Sequence, residues 1–257
     1  MNIQEWVEKG KPVNQIVHGD CLEGMKKMDN DSVDLVITSP PYNLGNSIRG
    51  NLYSDYGDDL SQDDYYNFIS SVLKELIRVT KYYVFFNFQV LTNNKLAYLK
   101  IFSEFKDNIK EILIWVKKQV APASMPTCLS SQFEFVVVFA KKELAEKRTF
   151  ERAFFNNRTK GQLNTNVIIG NNMSCAKEFN AEKGTNKACF PQYLVRWFLK
   201  KFSTEGDVIL DPFMGSGTSA LVCQQMNRKY LGFEIDGEYV NVGQGRLGQK
   251  GLGGFGL

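Results

Sequence analysis

Two short runs in this sequence combine residue types and spacings that could do chemistry. The first is Thr38, Ser39, Pro40, Pro41, Tyr42 and Asn43. Its paired prolines stiffen the backbone and remove two N–H donors that would otherwise compete for the Pro40 carbonyl. The Ser39 hydroxyl and that carbonyl can converge as acceptors on an amino group, and the Tyr42 ring can stack on a planar base. A rigid strand-to-loop turn with a buried tyrosine would use the same residues, so chemistry alone leaves both readings open. The second run is Asp211, Pro212, Phe213, Met214, Gly215, Ser216, Gly217 and Thr218. Glycines there let the backbone approach a ligand closely, and a following helix would offer free N–H groups. Glu234 lies about 20 residues further on, at the end of the next apolar run, where an acid can accept hydrogen bonds from ribose hydroxyls. A structural glycine turn is the alternative, but the Asp-Pro-Phe prefix and Glu234 together favour a nucleotide-like ligand. Neither GxGxxG nor GxxxxGK[ST] is present, which argues against a dinucleotide or a nucleoside triphosphate.

The elements that must position these runs alternate between strand and helix. Apolar runs at Gln15–His18, Val33–Thr38, 82–86, 112–116, Phe133–Phe139, 207–210 and 230–233 read as strands. Val33–Thr38 is apolar on both faces and stops at prolines, as a buried parallel strand meeting a loop does. Helical spacing marks 21–28, a helix opening at Ser61 with Asp64 in a capping-box position, Gln192–Phe202, 215–225 and a last helix from Gly237. The pattern predicts an α/β fold with a doubly wound, mostly parallel sheet covered on both faces. Residues 43–60 read as a long loop rich in Gly, Asn, Asp and Tyr. Residues 141–187 are polar and Asn-rich with no strong period, so they read as an insert.

Taken together, the two motifs resemble those of the amino-methylating DNA methyltransferases. The resemblance covers roughly residues 14–247: the [DNS]PPY motif matches Ser39, Pro40, Pro41 and Tyr42, and the FxGxG motif matches Phe213 to Gly217. Here the PPY motif precedes the glycine motif, which is the permuted order of the beta group and disfavours protein-glutamine and ribosomal-RNA enzymes. The resemblance implies a Rossmann-like methyltransferase fold, S-adenosylmethionine as cofactor, no metal, and double-stranded DNA as partner. It implies catalytic roles for Ser39, Pro40, Pro41 and Tyr42. Cofactor contacts are implied for Asp20, Cys21, Phe190, Pro191, Asp211, Pro212, Phe213, Gly215, Ser216, Gly217, Thr218 and Glu234. It admits a cognate restriction endonuclease and a homodimer as further partners. Two departures stand out: Asn186 replaces the histidine many relatives carry before the Phe-Pro segment, and Gly243 and Gly245 interrupt the last helix.

Serine in the SPPY motif, with the Phe-Pro segment, resembles the N4-cytosine enzymes, whereas DPPY is the usual N6-adenine form. The lead expectation is therefore methylation of the N4 amine of a flipped cytosine, with N6-adenine as the alternative. A catalytically silent DNA-binding module and an RNA or protein methyltransferase fit less well. Cytosine C5 chemistry would need a Pro-Cys nucleophile, and the sequence has no such pair.

Composition agrees with this reading. The 257 residues are 43% hydrophobic and 23% charged, which excludes a disordered or fibrous chain, and the net charge is only +3. That total conceals a local excess: residues 141–201 hold 13 Lys+Arg against 5 Asp+Glu. Within this segment Asn156, Asn157, Arg158, Lys160, Gln162 and Asn164 are types that reach base edges and phosphates, so they are the expected DNA contacts, with a solvated polar loop as the alternative. The expected organisation is a catalytic half over 1–140, a recognition insert over 141–187, a cofactor half over 188–247 and a Gly-rich tail over 248–257, with no room for a fused nuclease. One histidine, His18, and five scattered cysteines without a CxxC pair leave little for zinc. The odd cysteine count, a charged N-terminus and the absence of a spanning apolar run predict a cytoplasmic protein without a membrane segment.

Overall fold

The computed structural model describes residues 1–44, 59–118, 127, 129–154, 165–170 and 190–248. Its elements in chain order are α1 (Ile3–Glu8), β1 (Gln15–His18), α2 (Cys21–Lys26), β2 (Val33–Thr38), α3 (Gln62–Val79), β3 (Thr80–Phe88), α4 (Lys95–Glu104), β4 (Ile109–Lys117), β5 (Phe133–Phe139), α5 (Lys142–Ala145), β6 (Val167–Gly170), α6 (Gln192–Phe202), β7 (Val208–Asp211), α7 (Thr218–Gln225), β8 (Lys229–Glu234) and α8 (Gly237–Gly248). The strands form one sheet in the order β1-β8-β7-β2-β3-β5-β4-β6. Neighbours from β1 to β3 pair in parallel, β5 runs antiparallel to both β3 and β4, and β6 pairs in parallel with β4.

Helices cover both faces because the central strands carry apolar side chains on both. On one face Val36 of β2 and Phe86 of β3 pack under α1 to α4, through Trp6, Met25, Leu73 and Tyr98. On the other, Leu35, Ile37 and Phe85 meet α6, α7 and α8 through Phe198, Val222 and Val240. Strand alternation thus sorts neighbouring residues into two cores. The expected doubly wound, mostly parallel sheet is present. Ser61 caps α3 as expected, its hydroxyl accepting from the Asp64 N–H. No described helix is long and apolar enough to cross a membrane.

Several features depart from the sequence expectation, among them helices α1 and α4, which it did not include. Strands β3 and β4 are nine residues long, because their polar and charged ends, which weaken an apolar pattern, still find ladder partners. The 141–187 region is not without regular structure: it contributes α5 and β6, whose run of Val167, Ile168, Ile169 and Gly170 is too short to show a period. Arg152 in the same region is tied to Asp207 at 3.0 Å, which pins its first part to the sheet. Residues 45–58, 119–126, 128, 155–164, 171–189 and 249–257 lie outside the described residues.

Candidate active site

Strands β2 and β7 are neighbours at the centre of the sheet, so both motifs emerge side by side at their carboxyl ends. The Thr38 hydroxyl donates to Asp211 Oδ1 at 2.8 Å, the Ser219 hydroxyl donates to Oδ2 at 2.6 Å, and the Phe213 N–H donates to Oδ1 at 3.2 Å. Burial pushes the Asp211 carboxyl up to about 7, with the two hydroxyl hydrogen bonds pulling the other way. Asp211, expected among the cofactor contacts, is buried, and both its oxygens accept hydrogen bonds from the protein, so it also braces the ends of β2 and β7.

Beyond Thr38 the backbone is held residue by residue. Tyr65 donates its hydroxyl to the Pro41 carbonyl at 2.7 Å, and Asn94 donates from Nδ2 to the Tyr42 carbonyl at 2.7 Å. Among the described residues no donor reaches the Pro40 carbonyl. Asn43, in the left-handed region at φ 55, is a clamp: its Nδ2 donates to the Leu60 and Asn93 carbonyls and its Oδ1 accepts from the Leu60 N–H. It thereby joins the two ends of the loop that begins after the PPY motif.

Behind the motif lies a polar cluster that the sequence reading did not single out. The hydroxyls of Ser39 and Tyr42 are 2.9 Å apart, and Tyr42 donates to Glu134 Oε2 at 3.0 Å. Asn87 Nδ2 donates to the Tyr42 hydroxyl and, at 2.7 Å, to Glu134 Oε2. Lys117 pairs with the other Glu134 oxygen. Asn87, Glu134 and Lys117 are all buried, and Asn87 Oδ1 has no partner among the described residues. A buried ion pair is costly unless hydrogen-bonded on all sides, and here the surrounding donors meet that need.

The glycine loop opens toward the same edge of the sheet. Gly215 (φ 53) and Gly217 (φ 80) both take left-handed backbone. A Cβ on Gly215 would meet only the Phe213 carbonyl, at 4.0 Å, so that side of the turn is open; one on Gly217 would stand 3.0 Å from the Cα of Gly243 in α8. A Cβ on Gly243 would in turn stand 2.6 Å from Ile16 Cδ1, which accounts for the helix-weakening Gly243; one on Gly245 would meet nothing within 4 Å. Arg246 Nη1 donates to the Ser216 carbonyl at 2.7 Å and to Thr218 Oγ1 at 3.2 Å, fastening α8 to the loop. Pro212 and Thr218 are buried, Phe213 and Ser216 half-buried, and Phe213 packs edge-on to Phe68.

Glu234 closes the far side. Its Oε2 accepts from the Gly215 N–H at 2.7 Å and its Oε1 from the Asp236 N–H at 2.9 Å, while burial raises its carboxyl above the usual range. Gly19 donates its N–H to the Glu234 carbonyl at 2.9 Å, which brings the start of α2 beside it. There Asp20 caps α2, with Oδ1 accepting from the Leu22 and Glu23 N–H groups; among the described residues its Oδ2 accepts nothing. The Cys21 thiol is buried in the core, where desolvation raises its pKa, so a ligand here could meet only the Cys21 backbone. Phe190 packs edge-on to Trp115, and Pro191 is the buried N-cap of α6. His18 is exposed, with Nε2 3.1 Å from the Ile235 carbonyl. A cleft of about 690 Å³ beside His18 and Asp236 is lined by none of the expected catalytic or cofactor residues. The expected DNA contacts Asn156, Asn157, Arg158, Lys160, Gln162 and Asn164 lie outside the described residues.

An open turn of positive-φ glycines beside a half-buried acid fits a nucleoside-bearing ligand by its donor set and by the space a Cβ would take. Known proteins resemble this chain over most of its length. A family model described as DNA methylase, covering the N6 and N4 classes, matches residues 33–245. Type II methyltransferase M.HpaI of Haemophilus parainfluenzae is 27% identical over 246 residues, spanning 91% of this chain and 74% of its own. DNA adenine methyltransferase YhdJ of Escherichia coli (strain K12) is 26% identical over 253 residues, spanning 93% of this chain and 84% of its own. Among solved structures, PvuII DNA methyltransferase (cytosine-N4-specific) has a TM-score of 0.71 at 20% identity, covering 93% of this chain and 87% of that one. The M1.HpyAVI–SAM complex has a TM-score of 0.59 at 20% identity, covering 90% and 98%. At these identities the structures share the fold, and the family match spans both motifs. The chain belongs to the N6/N4 DNA methylase family.

Proposed function

We propose that this DNA methyltransferase modifies the exocyclic N4 amine of a cytosine flipped out of double-stranded DNA, with S-adenosylmethionine as the methyl donor and no metal. The observation that carries the reading is the Ser39-Pro40-Pro41-Tyr42 run standing beside the glycine loop, joined to it through Thr38 and Asp211. When bound, S-adenosylmethionine supplies an electrophilic methyl group on a sulfonium centre. Gly215, Ser216 and Gly217 with Glu234 and Asp20 would hold it, the acids by accepting from its hydroxyl and amine groups. Phe190, Pro191 and Phe213 would add apolar contact.

The protein's own work is positioning. A cytosine amine is a poor nucleophile because its lone pair is delocalised into the ring. Acceptors at Ser39 Oγ and the Pro40 carbonyl favour a pyramidal nitrogen by holding its two hydrogens, which leaves the lone pair free to point at the methyl carbon. The Tyr42 ring offsets part of the few kcal/mol that unstacking a base costs. Well-oriented reactants reach effective molarities of roughly 10⁵–10⁸ M, so orientation supplies most of what this site needs. Residues 141–187 would read the target sequence. A cognate endonuclease and a homodimer fit the same reading as partners.

The runner-up is N6 methylation of adenine, favoured by the 26% identity to an enzyme named as a DNA adenine methyltransferase. Incubation with mixed-sequence DNA and labelled S-adenosylmethionine, followed by mass spectrometry of the nucleosides, separates the two. N4-methylcytosine is expected. N6-methyladenine promotes the runner-up, and absence of any modified base rejects both in favour of a silent DNA-binding module.

A further inference from the structure

Hydrogen-bond polarity in the buried cluster behind Ser39 follows from counting protons. Glu134 is paired with Lys117 and is an acceptor only. It faces two neighbours, the Tyr42 hydroxyl at 3.0 Å and Asn87 Nδ2 at 2.7 Å, and both must donate to it. This fixes the Asn87 amide, because its oxygen cannot face a carboxylate. It also spends the single phenolic proton of Tyr42. The Tyr42 oxygen can then only accept, from Asn87 Nδ2 and from the Ser39 hydroxyl 2.9 Å away. Ser39 has one proton, and it is drawn inward to Tyr42. What Ser39 has left to offer outward is lone pairs.

We propose that Glu134, held by Lys117, is a positioning residue that sets the direction of the chain Ser39→Tyr42→Glu134 and so makes the Ser39 hydroxyl an obligate acceptor for the amine of the target base. The inference rests on the reading of Ser39 as an acceptor for that amine. A neutral serine is ambivalent, able to donate or accept. An acceptor-only group two bonds away removes the ambivalence without placing a charge against the base. The burial of all three supporting side chains keeps water from supplying a competing proton.

The test uses the full-length protein, and reads single-turnover methylation of DNA alongside the Kd for S-adenosylmethionine. Glu134→Gln puts an amide donor beside Tyr42 and lets the chain reverse. The methylation rate should fall about ten- to hundredfold with the cofactor Kd within about twofold. Tyr42→Phe, which leaves the Lys117 pair intact, should give a similar loss. Because Glu134 acts through the Tyr42 hydroxyl, Glu134→Gln in the Tyr42→Phe background should cost no more than about threefold further. A folded Glu134→Gln variant with an unchanged rate overturns the proposal, and so do fully additive losses, which would mark Glu134 as a general structural residue. If Glu134→Gln does not fold, Tyr42→Phe decides: an unchanged rate overturns the proposal and a selective loss of rate supports it. Ser39→Ala with full activity would instead overturn the underlying reading of Ser39.

Discussion

The Thr38 hydroxyl and the Asp211 carboxylate meet at 2.8 Å across 173 residues of chain. One ends the strand that leads into the PPY motif and the other ends the strand that leads into the glycine loop. A permuted order of motifs in the chain therefore becomes adjacency in space, because β2 and β7 pair in parallel at the centre of the sheet.

The joint has a pH signature. Burial raises the Asp211 carboxyl from 3.8 to about 7, so the folded state binds its proton more tightly than the unfolded chain. The contribution of this group to stability is complete below about pH 4 and is lost as pH rises toward 7. Asp211→Asn removes the titration while keeping the shape, so its stability should decline less than the wild type's between these limits. Urea denaturation at a series of pH values measures it; parallel curves for the two proteins would contradict the assignment.

The two loop glycines should respond unequally to alanine. Both have positive φ, but a Cβ on Gly215 enters open space whereas one on Gly217 stands 3.0 Å from the backbone of Gly243. Gly215→Ala should cost about 1 kcal/mol of stability from backbone strain alone. Gly217→Ala should cost more, on the order of 2–3 kcal/mol, since a backbone neighbour cannot rotate away. Equal losses in denaturant titrations would mean that α8 yields freely.

Much of this framework is legible in the sequence, and the parts that are not share a physical cause. Strand β2 shows because it is apolar on both faces and ends at prolines, and the glycine loop shows because its residue types are demanded by its geometry. Asn87 and Lys117 sit at strand ends, past the apolar stretch that marks each strand, and Glu134 is one charged residue near the start of β5. Each looks solvent-facing alone; only pairing of β3 and β4 with β5 brings them together behind Tyr42. Asp211 does more than its place beside glycines suggests, since one of its two hydroxyl partners, Thr38, comes from a strand 173 residues away. Arg246 hides in a glycine-rich helix whose close contact with the loop no local pattern reveals.

Glu234 should make cofactor binding sensitive to acid. Burial raises its carboxyl above the usual range, and only the ionised form offers acceptors on all sides. The Kd for S-adenosylmethionine should therefore rise as pH falls through that raised value, earlier than an exposed glutamate would allow. Glu234→Gln should bind about tenfold more weakly near neutral pH and lose the acid dependence. Calorimetric titration between about pH 5 and 8 reads both, and a wild-type Kd flat over that range would remove Glu234 from the binding site.

The local basic excess of residues 141–201 should appear as salt dependence. If Arg158 and Lys160 contact phosphates, each releases counterions on binding, and log K for DNA falls with log salt at a slope of about 0.9 per contact. Replacing both by alanine should reduce that slope by about 2 and weaken binding to target and non-target duplexes alike. A change confined to the target sequence would instead place these side chains on base edges, where one good bidentate contact discriminates by about 1–3 kcal/mol. No change in slope or affinity would leave them as a solvated surface and shift the recognition role to other residues of the insert. Fluorescence anisotropy with labelled duplexes across a salt series distinguishes the three.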